Sequence, residues 1–219
     1  MEPLDQRSRW AALIVAAGCL AAVLLIAVRV RRVSGPLRID YRGYLLVWQH
    51  PVLPVSVELR VEAIGTTPVF ATFVVALVII ALLLRDRVAA VIALIGAPLA
   101  VELTDVIGKP LVDRREGLHY GFPSGHTTAT AALATLAILI TYRRWGPKAL
   151  IAAPIFAALP LVMLVSVVQL KAHLFSDAIA GVFVGAGTIL AVAGLVSFGL
   201  AAWRRHAPVP RRASPRGAD

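Results

Sequence analysis

The chain has 219 residues, of which 59% are apolar and 16% charged, with a mean hydropathy of +0.82. Soluble domains average about 45–50% apolar and about 25% charged, which excludes a water-soluble globule and, over most of the length, a disordered chain. A net charge of +10 would suit nucleic acid in a soluble protein, but here the basic residues lie between apolar runs, where they serve topology and anionic headgroups. No nucleic-acid partner is expected. The single cysteine, Cys19, rules out an internal disulfide framework and a multi-cysteine metal site.

Spanning the hydrocarbon takes about 20 mostly apolar residues. Residues 10–28 form the first such run. It is too long for a signal-peptide core, and Arg29, Arg31 and Arg32 follow it in place of a small-residue cleavage site, so it reads as an uncleaved helix. Residues 33–62 hold Tyr41, Tyr44 and Trp48, which favour the headgroup level, and Pro51 and Pro54, which argue against a crossing. This is read as an interfacial segment between helices one and two. The second run is 63–84. The third is 88–101, continuing to 107 with Glu102 and Asp105 inside it. The fourth, fifth and sixth are 117–142, 150–170 and 178–203. The expected architecture is all-α: an integral membrane bundle of six transmembrane helices in one domain, 1–203. A basic, Pro-rich, disordered tail at 204–219 is expected after it.

With six crossings, the side holding both termini carries twelve basic residues and the other side ten. Four of those ten, Lys109, Arg114, Arg115 and Lys171, have candidate chemical duties. Setting them aside places both termini in the cytoplasm and the loops 108–126 and 171–177 outside the cell membrane.

Those two loops share one membrane face and can meet. Between them they hold His119, His126 and His173. The segment Phe122-Pro-Ser-Gly-His-Thr127 opens helix four. Pro123 suits a helix start, Ser124 can cap it or donate outward, and Gly125 lets a ligand reach the backbone. Free amides at a helix N-terminus bind anions, and a phosphate there would touch His126. His173 and Asp177, four apart, share a face if they lie in a helix start, so that Asp177 can take one ring proton and leave the other nitrogen to attack. Lys109, Arg114 and Arg115 bring positive charge for a phosphoryl group. Each feature alone also fits a bland reading: a capped helix with an incidental histidine, a polar pair at a helix end, headgroup-binding charge, or Lys109 merely paired with Asp105. A metal held by His119, His126 and His173 is disfavoured by the surrounding positive charge, and neither a metal nor another cofactor is expected.

In order, Lys109-Pro-Leu-Val-Asp-Arg114-Arg115, Pro123-Ser-Gly-His126 and His173-Leu-Phe-Ser-Asp177 resemble the type-2 phosphatidic acid phosphatase superfamily of lipid phosphate phosphatases, over roughly residues 63–202. The resemblance implies a metal-independent membrane enzyme acting on a lipid phosphate or diphosphate such as polyprenyl diphosphate, phosphatidate or phosphatidylglycerophosphate. It implies His173 as nucleophile, Asp177 as its orienting group and His126 as the acid for the leaving lipid oxygen. Lys109, Arg114 or Arg115, Ser124 and Gly125 would hold the phosphate. The first motif of the family ends in Arg-Pro, where this chain has Glu116 and Gly117. The third opens with Ser-Arg, where it has Ser166 and Val167. Lys171, four residues after Val167, is expected to supply the missing charge if helix five continues that far. Two alternatives keep the scaffold but change the role: a non-catalytic lipid-binding or transport protein, and a phosphotransferase with an acceptor other than water. The partners implied are the lipid substrate and membrane lipids; the oligomeric state stays open.

Overall fold

A computed structural model describes residues 3–33, 35–49, 51, 53–116 and 119–206, with only the backbone of 116, 119 and 120. Among the described residues the fold is helical apart from one antiparallel pair of two-residue strands. Helix α1 (Gln6–Arg32) is capped by Asp5, whose carboxylate accepts the Ser8 amide at 2.9 Å, and closes on three arginines that suit the carbonyl end of a helix dipole. The connection read as one interfacial segment is two helices, α2 (Arg38–Gln49) and α3 (Val55–Ile64). Pro51 and Pro54 separate them, Pro54 standing at the N-cap of α3. Helix α4 (Thr67–Leu83) follows α3 after a bend of 62°.

Helix α5 (Arg87–Glu102) continues through a π-helical turn at Leu103–Gly108 into α6 (Lys109–Val112). The widened turn is tied down by Thr104, whose hydroxyl donates to the Ala100 carbonyl at 3.1 Å and meets the Thr128 hydroxyl at 3.0 Å. Strands β1 (Arg115–Glu116) and β2 (His119–Tyr120) pair antiparallel. Helix α7 (Gly125–Trp145) ends at Gly146, whose φ of +70° favours glycine. A 3₁₀ segment, Gly146–Ala152, leads into α8 (Ala153–Gln169), which packs back against α7. Helix α9 (Phe175–His206) includes Arg204, Arg205 and His206, which were expected to open the tail; residues 207–219 lie outside the described residues.

The expected six crossings do not all stand out by length and hydropathy. Among the described residues four stretches do: Gln6–Arg32, Arg87–Val112, Gly125–Gln169 and Phe175–His206. The bent pair of α3 and α4 makes a fifth. The count falls short because α7, the 3₁₀ segment and α8 form one continuous helical run of 45 residues.

Helix α9 is the centre, with α1, α5 and α7 against it. Its contact with α7 is close because Gly181 and Gly185 face that helix. A Cβ on Gly181 would overlap Thr127 Oγ1 and the Ser124 carbonyl, and one on Gly185 would overlap the Thr128 carbonyl. Small residues let membrane helices approach this way. The approach brings the start of α7 onto the first turn of α9, where the Ser124 amide donates to the Asp177 carbonyl at 3.0 Å. Large apolar side chains such as Leu25, Leu83 and Ile155 stay exposed on the outside, a surface matched to lipid.

Candidate active site

The start of α7 is the focus. The first amides of a helix have no intrahelical acceptor, so those of Gly125 and its neighbours are open to an anion. Lys109 and Asp105 lie over this point. They pair at 2.6 Å, as their spacing suggested, and a Cβ on Gly125 would stand 3.8 Å from Lys109 Nζ and 3.7 Å from Asp105 Oδ1. The imidazole of His126 is backed by Gly65, where any side chain would collide with the ring.

His173 reaches the same place from the other side. Its ring centroid is 6.5 Å from that of His126. It is not on a helix, because α8 stops at Gln169 and α9 starts at Phe175. The same-face argument for His173 and Asp177 therefore fails. What fixes His173 is the end of α8. Lys171 takes a left-handed conformation (φ +59°), and the Val167 carbonyl then accepts the amides of both Ala172, at 2.9 Å, and His173, at 3.1 Å. Burial, and then the charges of His126 and Lys109, push the His173 imidazole from its ordinary 6.5 down to about 4, against a hydrogen bond with the Gly121 backbone that pulls upward. At neutral pH it is the free base. Its Nδ1 is buried and makes no hydrogen bond among the described residues.

Lys109, Gly125, His126, Lys171 and His173 line one cavity of about 1040 Å³. Its other walls include apolar residues of α4 and α5, among them Phe70, Val74, Pro98 and Val101, and the polar Thr66, Thr67, Glu102 and Asp105. One end is polar, with two lysines beside two acids, and the other is apolar.

The other predicted residues stand elsewhere. Ser124 is the N-cap of α7 by position, yet its hydroxyl is buried, caps nothing and makes no hydrogen bond among the described residues. Arg114 and Arg115 line a separate cavity of about 630 Å³ with Arg31 and Leu174. Arg115 is exposed and pairs with Asp113 at 3.0 Å. Arg114 is turned inward, donating to Asp177 Oδ1 at 2.7 Å and to Ser176 Oγ at 2.8 Å. Burial works against its charge, but Asp177 and Asp40 more than restore it and hold its pKa above the usual value. Asp177 thus meets Arg114, where the spacing argument had paired it with His173. Lys171 does not stack over Val167. The left-handed turn carries its ammonium to 3.9 Å from the Trp48 ring, while the Val167 side chain is sealed among Val47, Met163, Leu164 and Ala178. The side chain of His119 lies outside the described residues.

Residues 99–198 match the model of the PAP2 superfamily. This segment is a PAP2 superfamily segment. It contains all three motifs and, of the cavity, Lys109, Gly125, His126, Lys171 and His173. Among solved structures, the transmembrane PAP2-type phosphatidylglycerolphosphate phosphatase from Bacillus subtilis superposes with a TM-score of 0.68. The match covers 86% of this chain and 96% of the other at 14% identity, which makes it a likeness of fold. No curated protein matches the chain. The apolar helices and the likeness of fold to a transmembrane protein identify an integral membrane protein.

One residue ahead of the PAP2 segment was missed in the sequence. Asp40, in α2, is 1% exposed. Its carboxylate accepts the Leu37 amide at 2.6 Å, the Ser176 amide at 2.7 Å and Arg114 Nη2 at 3.1 Å. The only local signal was an acid within an aromatic, basic stretch that otherwise reads as interfacial.

Proposed function

We propose that the protein is a lipid phosphatase working through a phosphohistidine. The observation that carries this is the shared cavity, which joins a neutral His173, His126, Lys109 and the open amides of α7 to an apolar trough. A ring nitrogen of His173 attacks phosphorus and the bond to the lipid oxygen breaks, that oxygen taking a proton from His126. Water, deprotonated by His126, then attacks phosphorus and breaks the P–N bond, releasing inorganic phosphate and restoring His173. Lys109 and the Gly125 amide hold the equatorial oxygens, with Ser124 behind them. Lys171 adds charge at the rim. The substrate is a lipid phosphate or diphosphate, with phosphatidylglycerophosphate, phosphatidate and polyprenyl diphosphate as the candidates. No metal takes part.

The bundle crosses the membrane six times in this reading. A run of 45 residues would reach roughly 67 Å as one straight helix, about twice the hydrocarbon thickness. The packing of α8 back on α7 supports two crossings there, and α3 with α4 makes one. The site then faces away from the cytoplasm in the plasma membrane, by the distribution of basic residues.

The test is phosphate release from a panel of these lipids by purified protein in detergent, with His173→Ala alongside. Turnover by wild type with an acid-labile phosphoenzyme, both absent from the variant and insensitive to chelator, is the expected result. A variant that keeps a tenth of the activity would remove His173 as nucleophile. A second reading, non-catalytic lipid binding, is favoured by the burial of Val167 where the family places an arginine; a wild type that binds these lipids without releasing phosphate would establish it.

A further inference from the structure

Arg114 was expected to bind phosphate, but its surroundings give it other work. Four of the five N–H donors of its guanidinium are spent on the protein: Ser176 Oγ and Asp177 Oδ1 on Nη1, the Gly35 carbonyl and Asp40 Oδ2 on Nη2. Its side chain is 9% exposed, and both carboxylates are fully buried. It is absent from the walls of the cavity that holds His126 and His173. A guanidinium so engaged has no fork left for a phosphoryl group.

Asp40 is the partner that makes this arrangement possible. It comes from α2, outside the PAP2 segment, and acts on three pieces of chain at once. Through Leu37 it closes the start of its own helix. Through the Ser176 amide it caps α9 from a different element, satisfying a donor that the helix cannot satisfy itself. Through Arg114 it reaches Asp177. Gly43, on the same face of α2, lets the ring of Phe175 lie against the helix backbone, so α2 sits directly on the start of α9. His173 hangs in the short turn between that start and the end of α8. The three charged groups carry one formal positive and two formal negative charges. Their mutual bonds fix the first turn of α9, and with it the turn that carries His173.

We propose that Asp40 is a positioning residue for the reaction, and that Arg114 is the clamp between Asp40 and Asp177 in place of a phosphate ligand. This rests on the phosphatase reading above. Asp40→Asn keeps the shape and removes the charge. Arg114→Lys keeps the charge and removes the fork. Both are purified in detergent beside wild type and assayed for kcat, KM and inhibition by inorganic phosphate on the lipid the wild type turns over best. Asp40→Asn is expected to lower kcat about tenfold or more with KM within about threefold, the signature of an interaction realised in the transition state. Arg114→Lys is expected to do the same, with its phosphate inhibition constant within about threefold of wild type, and the double variant to fall by less than the product of the two, since they act as one unit. If Asp40→Asn does not fold, Arg114→Lys decides alone. A rise in KM and in the phosphate inhibition constant for Arg114→Lys at unchanged kcat would make it a phosphate ligand and overturn the proposal. So would Asp40→Asn within twofold of wild type, or both variants failing to fold, which would mark a purely structural link. A wild type that releases no phosphate refutes the phosphatase reading itself, and this inference falls with it.

Discussion

His173 should titrate far below an ordinary histidine. Its folded value of about 4 lies under the ordinary 6.5 because burial disfavours the imidazolium and because His126 and Lys109 add like charge. Each pH unit of difference is about 1.4 kcal/mol, so the gap is worth about 3 kcal/mol. The sign follows from proton counting: between the two values the unfolded chain binds the proton and the folded one does not, so stability rises with pH there. The folded state loses that amount as pH falls from 6.5 to about 4 and is unaffected by this group above 7. The free base can be followed directly. Diethylpyrocarbonate modifies only neutral imidazole, and peptide mass spectrometry separates His173 from the other histidines. Its rate of modification is expected to stay level from pH 8 to about 5 and to halve near 4. Lys109→Ala should move the halving point upward. A halving point near 6.5 in the wild type would show a solvated imidazole and refute the buried free base on which the mechanism depends.

Three further outcomes are expected. Gly185→Leu should push α7 from α9, since even a Cβ overlaps the Thr128 carbonyl, costing about 1–3 kcal/mol or more in thermal unfolding and most of the activity. Arg143→Ala should break the two-bond pair with Asp86 that ties the end of α7 to the start of α5, at 2.6 and 2.9 Å, with a loss of about 1.5–3 kcal/mol in thermal unfolding. Burial would raise the Asp86 pKa, but the hydrogen bonds from Arg143 and Ala89 hold it below the usual value, so that this pair's contribution is complete above the ordinary carboxylate range and fades as pH falls through the lowered value. His126→Ala should slow release of a poor leaving group by about 10²–10⁴-fold while sparing phosphoenzyme formation from a good one, checked by rapid quench.

The helices were legible because a bilayer demands long apolar runs, and that demand is written residue by residue. Helices α1, α4, α5, α7, α8 and α9 all fall within or beside the runs identified. His126 and His173 were legible for a different reason: the motifs that carry them are short and local. What escaped depends on contacts remote in sequence. Nothing near Asp40 announces Ser176 or Arg114, more than 70 residues away. Spacing rules assume that a helix continues, and they misplace Lys171 and His173 because a left-handed residue ends α8 between Val167 and the histidine. The charges at Arg114 and Asp177 were visible, but which charge each one answers is decided by packing.

The cavity runs past the histidines to Ala71 and Val75 of α4 and Pro98 of α5, all of which lie exposed on the outer face of the bundle. A trough open along its side has no end wall. If a lipid lies there, its head can swing in from the bilayer while its tails remain among their neighbours, and the tails are never desolvated a second time. Hydrocarbon beyond the first few carbons then contributes the same free energy before and after binding. Such an enzyme cannot measure chain length, and whatever selectivity it has must be exercised within a few ångströms of the phosphorus.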